Sequence, residues 1–537
     1  MAQYDVVIAG AGMNGLSTAA YLVKGGLSVC VLESKDMIGG GCFSFTDPDT
    51  GAIHDGAATV HSLISLNPLI ANDELGLMSK YGLSYVKPEA VTTDLFVDKG
   101  MALTIYMDLD RTLEEITTKL GAEEAEQYRE FTEFVQAIGP MLTMGMFAPP
   151  VDAEMMVSAL SGMGEIGQRL MRYLPMSAWE VACEEFKTYE LRETTTRFVS
   201  ESMISPFEPA TGGSYLACMY MFHAPNQIRF PHCVGGSQKL TDAFAAFIKD
   251  HGGVIRTGAN IKSVKLDGKT ATAFVLEDGE EVSGKKLIST LHIKQLFGSN
   301  GMIDPALMGE EFTAKVDNLR PSSYVGFLQN ITLKEAPRYK LLDGDTTHAC
   351  ITEQSHGLEE YMGMFDEMAK GNPSPAHTSA TCNQTLIDPS RAGKDGAYST
   401  LYLYNYEPYE LYGDGANWDE HGQEIADKNL AAFCELCTNM TEDNIVSRFI
   451  SNPLEYERHF PSWLEGDFCH ISQAADQGSS NRPFPGMTRY VTPIENLYLG
   501  GASAWPGPTI SGGGRAVAQV IFEEMDIDFD EVINGGE

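Results

Sequence analysis

Residues 4–15 constrain this chain more than any other stretch. Tyr4-Asp5-Val6-Val7-Ile8-Ala9 is an apolar strand that runs straight into Gly10-Ala11-Gly12-Met13-Asn14-Gly15, and an apolar-faced helix follows from Leu16 to about Lys24. A second apolar run, Ser28-Val29-Cys30-Val31-Leu32, ends in Glu33. This is the strand–turn–helix–strand order that binds a dinucleotide. Gly10 permits the tight turn, Gly12 lets backbone approach a pyrophosphate, and Gly15 lets helix and strand pack closely. The helix N-terminus at Met13 and Asn14 faces the phosphates, and Glu33, with Ser34 beside it, accepts hydrogen bonds from a ribose. A carboxylate there repels a 2′-phosphate, so the ligand is FAD or NAD rather than NADP.

A second glycine cluster, Gly39-Gly40-Gly41-Cys42, follows the ribose-binding acid by a few residues. NAD has no need of it, whereas an extended FAD does, because backbone must pass close beside the cofactor at Gly40 and Gly41. Ala52-Ile53-His54-Asp55-Gly56-Ala57 and then His61 bring the chain back toward the flavin end. Near the C-terminus, Leu497-Tyr498-Leu499-Gly500-Gly501-Ala502-Ser503 reads as a strand entering a glycine-rich turn. Pro508-Thr509-Ile510-Ser511-Gly512-Gly513-Gly514 then precedes a helix beginning near Arg515. Its N-terminus can stabilise negative charge on a reduced flavin. Arg515 is unusual in a first helical turn; it either pairs with a nearby acid or touches the flavin.

At 537 residues the chain can hold two domains. The formal net charge of -37 argues against nucleic acid and against anionic lipid, since both call for basic surface. The acid is expected to solvate the surface, in preference to forming an acidic partner site. No apolar run reaches the ~18 residues of a spanning helix and the first strand begins at residue 4, so neither a spanning helix nor a cleavable signal is expected. Ten scattered cysteines fit a reduced, cytoplasmic protein, and Cys434 and Cys437 lack the second pair of a zinc site. No metal site is expected.

Between the glycine blocks, residues 110–225 read as mainly helical. Met141, Met144, Met146, Met155, Met156, Met163, Met171 and Met176 cluster there around Pro149-Pro150, as a pliable lid or as a methionine-rich core. Tyr215–Phe222 is expected as a buried helix. Pro231-His232-Cys233-Val234-Gly235-Gly236-Ser237 leads into another helix, then into paired strands around Ala259–Leu266 and Ala271–Leu276, with Ile261 at the first of these, and a strand at Lys286–Thr290. Strand-like pieces recur at Ser323–Leu328 and Tyr398–Tyr404. Asn405–Tyr412 is either a substrate wall or an amphipathic surface turn, and the turn is the preferred reading.

These blocks together resemble the phytoene-desaturase-like flavoproteins. The matches are GAGMNG with Glu33 and GGGC, PHCVGGSQKL with TGANIKSV, and RPFPGMTRYVTPIENLYLGGASAWPGPTISGGG. The likeness is closest to the branch of monooxygenase-type beta-carotene ketolases and pyridine-nucleotide-disulphide-oxidoreductase-domain protein 2. It implies an α/β two-dinucleotide-fold flavoprotein. Its discontinuous Rossmann-like FAD domain is expected at 1–70, 230–300 and 480–537; a mixed α+β substrate domain with a helical lid is expected at 71–229 and 301–479. It implies non-covalent FAD, held by Gly10, Gly12 and Gly15 at the pyrophosphate and by Glu33 at the ribose. Gly40 and Gly41 pass beside the cofactor, Ile261 backbone lies at adenine, and Gly501, Ala502, Ser503, Ile510, Ser511 and Gly512 lie at the flavin end. Trp505 stands where the family commonly has a smaller polar residue, which alters the pocket's shape.

The expected activity is oxidation of an apolar, isoprenoid or polyene-like molecule by hydride transfer to flavin N5. Oxygen or a quinone would accept the electrons, and peripheral contact with a membrane would supply the substrate. His61 is the candidate for proton transfer, with Asp55 and His232 nearby and Asp55 more suited to capping backbone. The rival readings are an amine or cyclic-ketone oxidase, a redox-neutral polyene isomerase and a flavin-binding interaction protein. The oligomeric state has no signal in the sequence.

Overall fold

In a computed structural model, residues 3–535 are described apart from 152, 226–227, 377–378 and 479–480. Two seven-stranded sheets dominate. In the first, Val6–Ala9 forms a continuous buried apolar run, the pattern of a strand covered on both faces. Tyr4–Ala9 pairs in parallel with Val29–Leu32 on one side and with the second half of Glu281–Ser289 on the other, Ile8 lying opposite Val31 and Ile288. Val254–Arg256 and Leu497–Leu499 extend this parallel array at its two flanks. The first half of Glu281–Ser289 turns away into an antiparallel meander with Thr270–Leu276 and Ile261–Asp267, so the paired strands read from the sequence are present.

The helix Met13–Lys24 packs on the C-terminal helix Gly512–Glu524. Their contact depends on small residues, since a Cβ at Gly514 would overlap Ser17 Oγ, and Thr18 Oγ1 bonds the Gly514 carbonyl at 3.3 Å. The two glycine-bearing helix starts, from opposite ends of the chain, are thereby placed side by side.

The second sheet runs Ile445–Ser451, Val325–Leu333, Ser399–Glu407, Ala380–Asn383, Ala349–Ser355, Ala90–Phe96 and Met101–Tyr106, antiparallel except where Ala349–Ser355 meets Ala90–Phe96. Helices make up most of the described residues between 110 and 225, as the periodicity indicates. Gly212–His223 is apolar around its whole circumference and accordingly buried, with Tyr215, Leu216 and Phe222 fully enclosed.

Two sequence expectations change. Asn405–Glu407 is not a surface turn but the end of the buried strand Ser399–Glu407, paired to Val325–Phe327; only beyond Pro408 does the chain surface, with Tyr412 52% exposed. The acidity is also not wholly at the surface, because Asp94, Glu193, Glu353 and Glu407 are buried. Leu75, Leu77, Leu83, Ile303, Val316 and Leu319 pack into the core of the first sheet, so residues outside 1–70 and 230–300 share that core.

Candidate active site

A cavity of about 1510 Å³ opens between the two sheets and the helical layer. One drug-sized ligand takes ~300–1,000 Å³, so this volume suits a dinucleotide and a second molecule together. Twelve of the residues read as cofactor contacts stand on its wall: Gly10, Gly12, Met13, Asn14, Glu33, Ser34, Gly40, Gly41, Ile261, Gly501, Ala502 and Ile510. They come from both ends of the chain and from the meander between.

The glycine turns fit a closely approaching cofactor. Gly10 has φ +97°, a conformation that L side chains avoid, and a Cβ there would overlap Thr290 Oγ1. A Cβ at Gly15 would overlap the Gly10 carbonyl oxygen. A Cβ at Gly12 would meet no protein atom at all; it would project into the cavity. Asn14 and Thr509 are on the wall, and their Oδ1 and Oγ1 are buried polar atoms with no protein partner, as expected of groups left for a bound molecule or water. Glu33 is fixed by the Ala11 N–H on Oε2 (2.9 Å) and the Lys35 N–H on Oε1 (3.0 Å).

Four of the expected contacts lie behind the wall. Gly15 serves helix–strand packing. Ser503 Oγ accepts the Ile293 N–H at 3.1 Å and meets His470 Nδ1 at 3.1 Å. Ser511, with φ +61°, has its carbonyl bonded by Asn67 Nδ2 at 3.3 Å, and Gly512 begins the helix where a Cβ would overlap Thr509 Oγ1.

His61 is not on the wall either. It is fully buried, with Nδ1 on Tyr85 Oη at 3.0 Å and Nε2 on Ser237 Oγ at 2.9 Å, and burial lowers its pKa to about 4. Both ring nitrogens are committed to holding two segments together. His232 is likewise buried off the wall. Asp55 does cap backbone, accepting the Ser237 N–H at 2.8 Å, and forms a fully buried ion pair with Arg391 at 2.6 Å. Burial pushes its carboxyl up, but Arg391 and the hydrogen bonds more than offset this and leave the pKa below the ordinary value. Arg391 also pairs with Asp388 and bonds the Cys233 carbonyl, tying the second sheet to the glycine loop at Gly235–Gly236. Arg515 pairs with Glu74 through two 2.9 Å contacts, which is the first of its two readings.

Beyond the glycine turns the wall becomes apolar and aromatic, including Phe198, Met221, Phe230, Tyr402, Tyr404 and Phe460. Met141, Met146 and Met155 line it from the helical side, so part of the methionine cluster meets the cavity. Sequence reasoning missed His470 and Glu201, both on this wall. His470 stacks on His292 with centroids 5.1 Å apart, and burial drives its pKa well below the ordinary value. Its loop is braced by Arg482, a fully buried guanidinium that donates to the carbonyls of Cys469 (2.6 Å), Ile471 (3.0 Å), Ser472 (2.9 Å) and Ala502 (2.8 Å).

The profile of the flavin containing amine oxidoreductases matches residues 13–333. The chain belongs to that family. It is 25% identical to a limonene dehydrogenase subunit of Castellaniella defragrans over 99% of this chain and 97% of that one. It is 26% identical to pyridine nucleotide-disulfide oxidoreductase domain-containing protein 2 of Mus musculus, over 97% and 94%. Phytoene desaturases stand among further relatives, in keeping with the resemblance read from the glycine blocks. Among solved structures, a putrescine oxidase superposes with TM-score 0.61 at 15% identity over 98% of this chain and 99% of that one, a likeness of fold. The protein is therefore an FAD-dependent oxidoreductase.

Proposed function

We propose that this oxidoreductase dehydrogenates an apolar, isoprenoid or polyene-like small molecule. The observation that carries the reading is the wall beyond the glycine turns, where aromatic and aliphatic side chains enclose the space remaining beside the cofactor. Such a wall binds by area removed from water and fixes orientation by shape. The names of its relatives, limonene dehydrogenase and phytoene desaturase, point the same way.

FAD, when bound, accepts the hydride that the substrate loses. In the proposed site Gly10, Gly12 and Gly40–Gly41 cradle the pyrophosphate side, Glu33 holds the ribose, and Gly501, Ala502 and Ile510 border the flavin end. The aromatic wall excludes water and holds the reacting C–H bond in place. His470 replaces His61 as the candidate proton acceptor: it is on the wall, neutral through burial, and in the tautomer whose Nδ1–H donates to Ser503 Oγ its Nε2 is the basic nitrogen.

The family's name and the aromatic wall favour amine oxidation as the second reading. Anaerobic titration of the holoprotein with limonene, a linear polyene and an alkylamine separates them by which compound bleaches the flavin absorbance. Bleaching by a hydrocarbon is the expected result; bleaching by the amine alone refutes the proposal. Bound flavin that none of them bleaches favours an isomerase or a non-catalytic flavoprotein.

No helix among the described residues is long and apolar enough to cross a membrane. Val151, Met155, Val157 and Ile166 are 40–61% exposed around the helical rim, and Val151 and Met155 also line the cavity. This rim is proposed to rest on neutral lipid, from which an apolar substrate enters. Flotation with phosphatidylcholine vesicles, insensitive to salt, is expected; sedimentation without the vesicles refutes it.

A further inference from the structure

Glu33 and Glu201 are the only carboxylates on the cavity wall among the described residues, and Glu33 belongs to the glycine-turn side. Glu201 therefore stands as the one acid in the aromatic chamber. It is carried on the 3-10 turn Arg197–Ser202, is partly buried and lines the cavity. Its Oε1 accepts the hydroxyl of Tyr406 at 2.6 Å.

Tyr406 is the last of three tyrosines, Tyr402, Tyr404 and Tyr406, that alternate along the strand Ser399–Glu407 and so share one face. Their rings form a column, with centroids 5.8 Å and then 5.5 Å apart. At the other end, Tyr402 Oη donates to the Ala57 carbonyl at 2.6 Å, and Ala58 bonds Gly41 in the second glycine cluster. These spacings put the two end rings of the column no more than about 11 Å apart. One end of the chamber is thus beside the cofactor turns, and the other closes on Glu201.

Behind Glu201 lies a buried charge cluster. Arg197 pairs with Glu353 at 2.9 Å and with Glu193 at 3.1 Å, and Asp94 is close enough to interact with the same guanidinium. One guanidinium cannot neutralise four carboxylates in such a site. Burial accordingly raises Glu193 to about 7 and Glu353 to about 8, and raises Glu201 as well. With Tyr406 donating to Oε1, the second carboxyl oxygen is left to face whatever fills the chamber: it accepts from a hydroxyl and, when the carboxyl carries its proton, donates to a carbonyl.

We infer that Glu201 is a specificity-determining residue that binds a neutral oxygen function, a hydroxyl or carbonyl, at the end of the substrate remote from the reacting carbon. This rests on the apolar-substrate reading above and adds to it a polar tip and an orientation. A pure hydrocarbon would offer the second carboxyl oxygen nothing, Oε1 alone being held by Tyr406. An ammonium group would require Glu201 to ionise as a further carboxylate beside Arg197.

The test uses the FAD-loaded protein under anaerobic conditions, titrated with decane, 1-decanol and decylamine while the flavin band is followed. Wild type is expected to bind 1-decanol roughly 3- to 10-fold more tightly than decane, the worth of one hydrogen bond. E201L abolishes that preference while decane affinity stays; E201Q, whose amide still donates and accepts, retains it. Equal binding of decane and 1-decanol by wild type overturns the inference without any variant, so poor folding of E201L cannot protect it. A decylamine preference that E201Q removes overturns it in favour of an ionised Glu201. If none of the three probes perturbs the flavin, the apolar-substrate reading itself fails, a result distinct from binding without discrimination.

Discussion

Gly12 and Gly15 lie three residues apart in one turn, yet the structure assigns them opposite vulnerabilities. A Cβ at Gly12 meets no protein atom, and the backbone there, at φ -72° and ψ 176°, is open to any L residue. Gly12→Ala should leave the apoprotein within about 0.5 kcal/mol of wild type, as surface-like substitutions do. The added methyl would instead occupy cavity space where the proposed pyrophosphate approaches backbone. Loss of one hydrogen bond to a charged group, about 1.5–3 kcal/mol, weakens FAD by roughly 10- to 100-fold. Gly15→Ala is the reverse case, since its Cβ would overlap the Gly10 carbonyl oxygen and force helix and strand apart, at about 1–3 kcal/mol of apoprotein stability. Urea unfolding of the two apoproteins and FAD titration by fluorescence quenching measure both quantities. Equal destabilisation by the two variants, or wild-type FAD affinity in Gly12→Ala, would refute the placement of the pyrophosphate over Gly12.

Removing one partner of the Arg515–Glu74 pair, whose side chains are 15% and 5% exposed, should cost about 3 kcal/mol. Because Arg515 is off the wall, the flavin spectrum of Glu74→Gln should be unchanged; a shifted spectrum would favour the direct-contact reading. His61→Phe should lower stability by about 1–3 kcal/mol by unpairing the Tyr85 hydroxyl and removing the His61 contact from Ser237 Oγ, and should leave the pH profile of turnover intact. His470→Gln should alter that profile. Glu407 is buried beside Ser374 and Asn429, and burial raises its pKa to about 8. The folded protein then binds a proton that the unfolded chain has released, so stability falls as pH rises from about 5 to 8. Glu407→Gln should flatten that fall by an amount on the order of 2–4 kcal/mol between those limits, read from urea midpoints; an unchanged slope would show that Glu407 titrates normally.

The cofactor half of the site was legible because each part of it is a backbone requirement. Gly10 needs a positive φ, Gly15 needs contact without a Cβ, and Val6–Ala9 needs apolar side chains on both faces. Such demands restrict residue type locally, so a short string reveals them. Their limits appear at Ser503 and Ser511, which stand in the right block but off the cavity wall, the Ser503 hydroxyl spent on Ile293 and His470. A motif gives the path of the backbone, not the direction of each side chain.

The other half is assembled from segments that share no motif. His61 stood out in the sequence because it follows a glycine-rich return of the chain, yet Tyr85 and Ser237 claim both of its nitrogens. His470 and Glu201 have no such neighbours, and their place depends on a buried arginine and on a strand two hundred residues away. One signal was present: Tyr402-Leu403-Tyr404-Asn405-Tyr406 alternates with the period of a strand that shows its tyrosines to one side. Pursued through Glu407, that alternation would have kept residues 405–407 inside the sheet instead of at the surface. It would not have found Glu201, because one acid among 74 Asp and Glu residues carries no mark of its place on a cavity wall until the chain is packed. On the proposed reading, cofactor binding is encoded in local backbone rules, and substrate selection in long-range burial. A change of substrate within such a fold therefore requires substitutions that no glycine motif records.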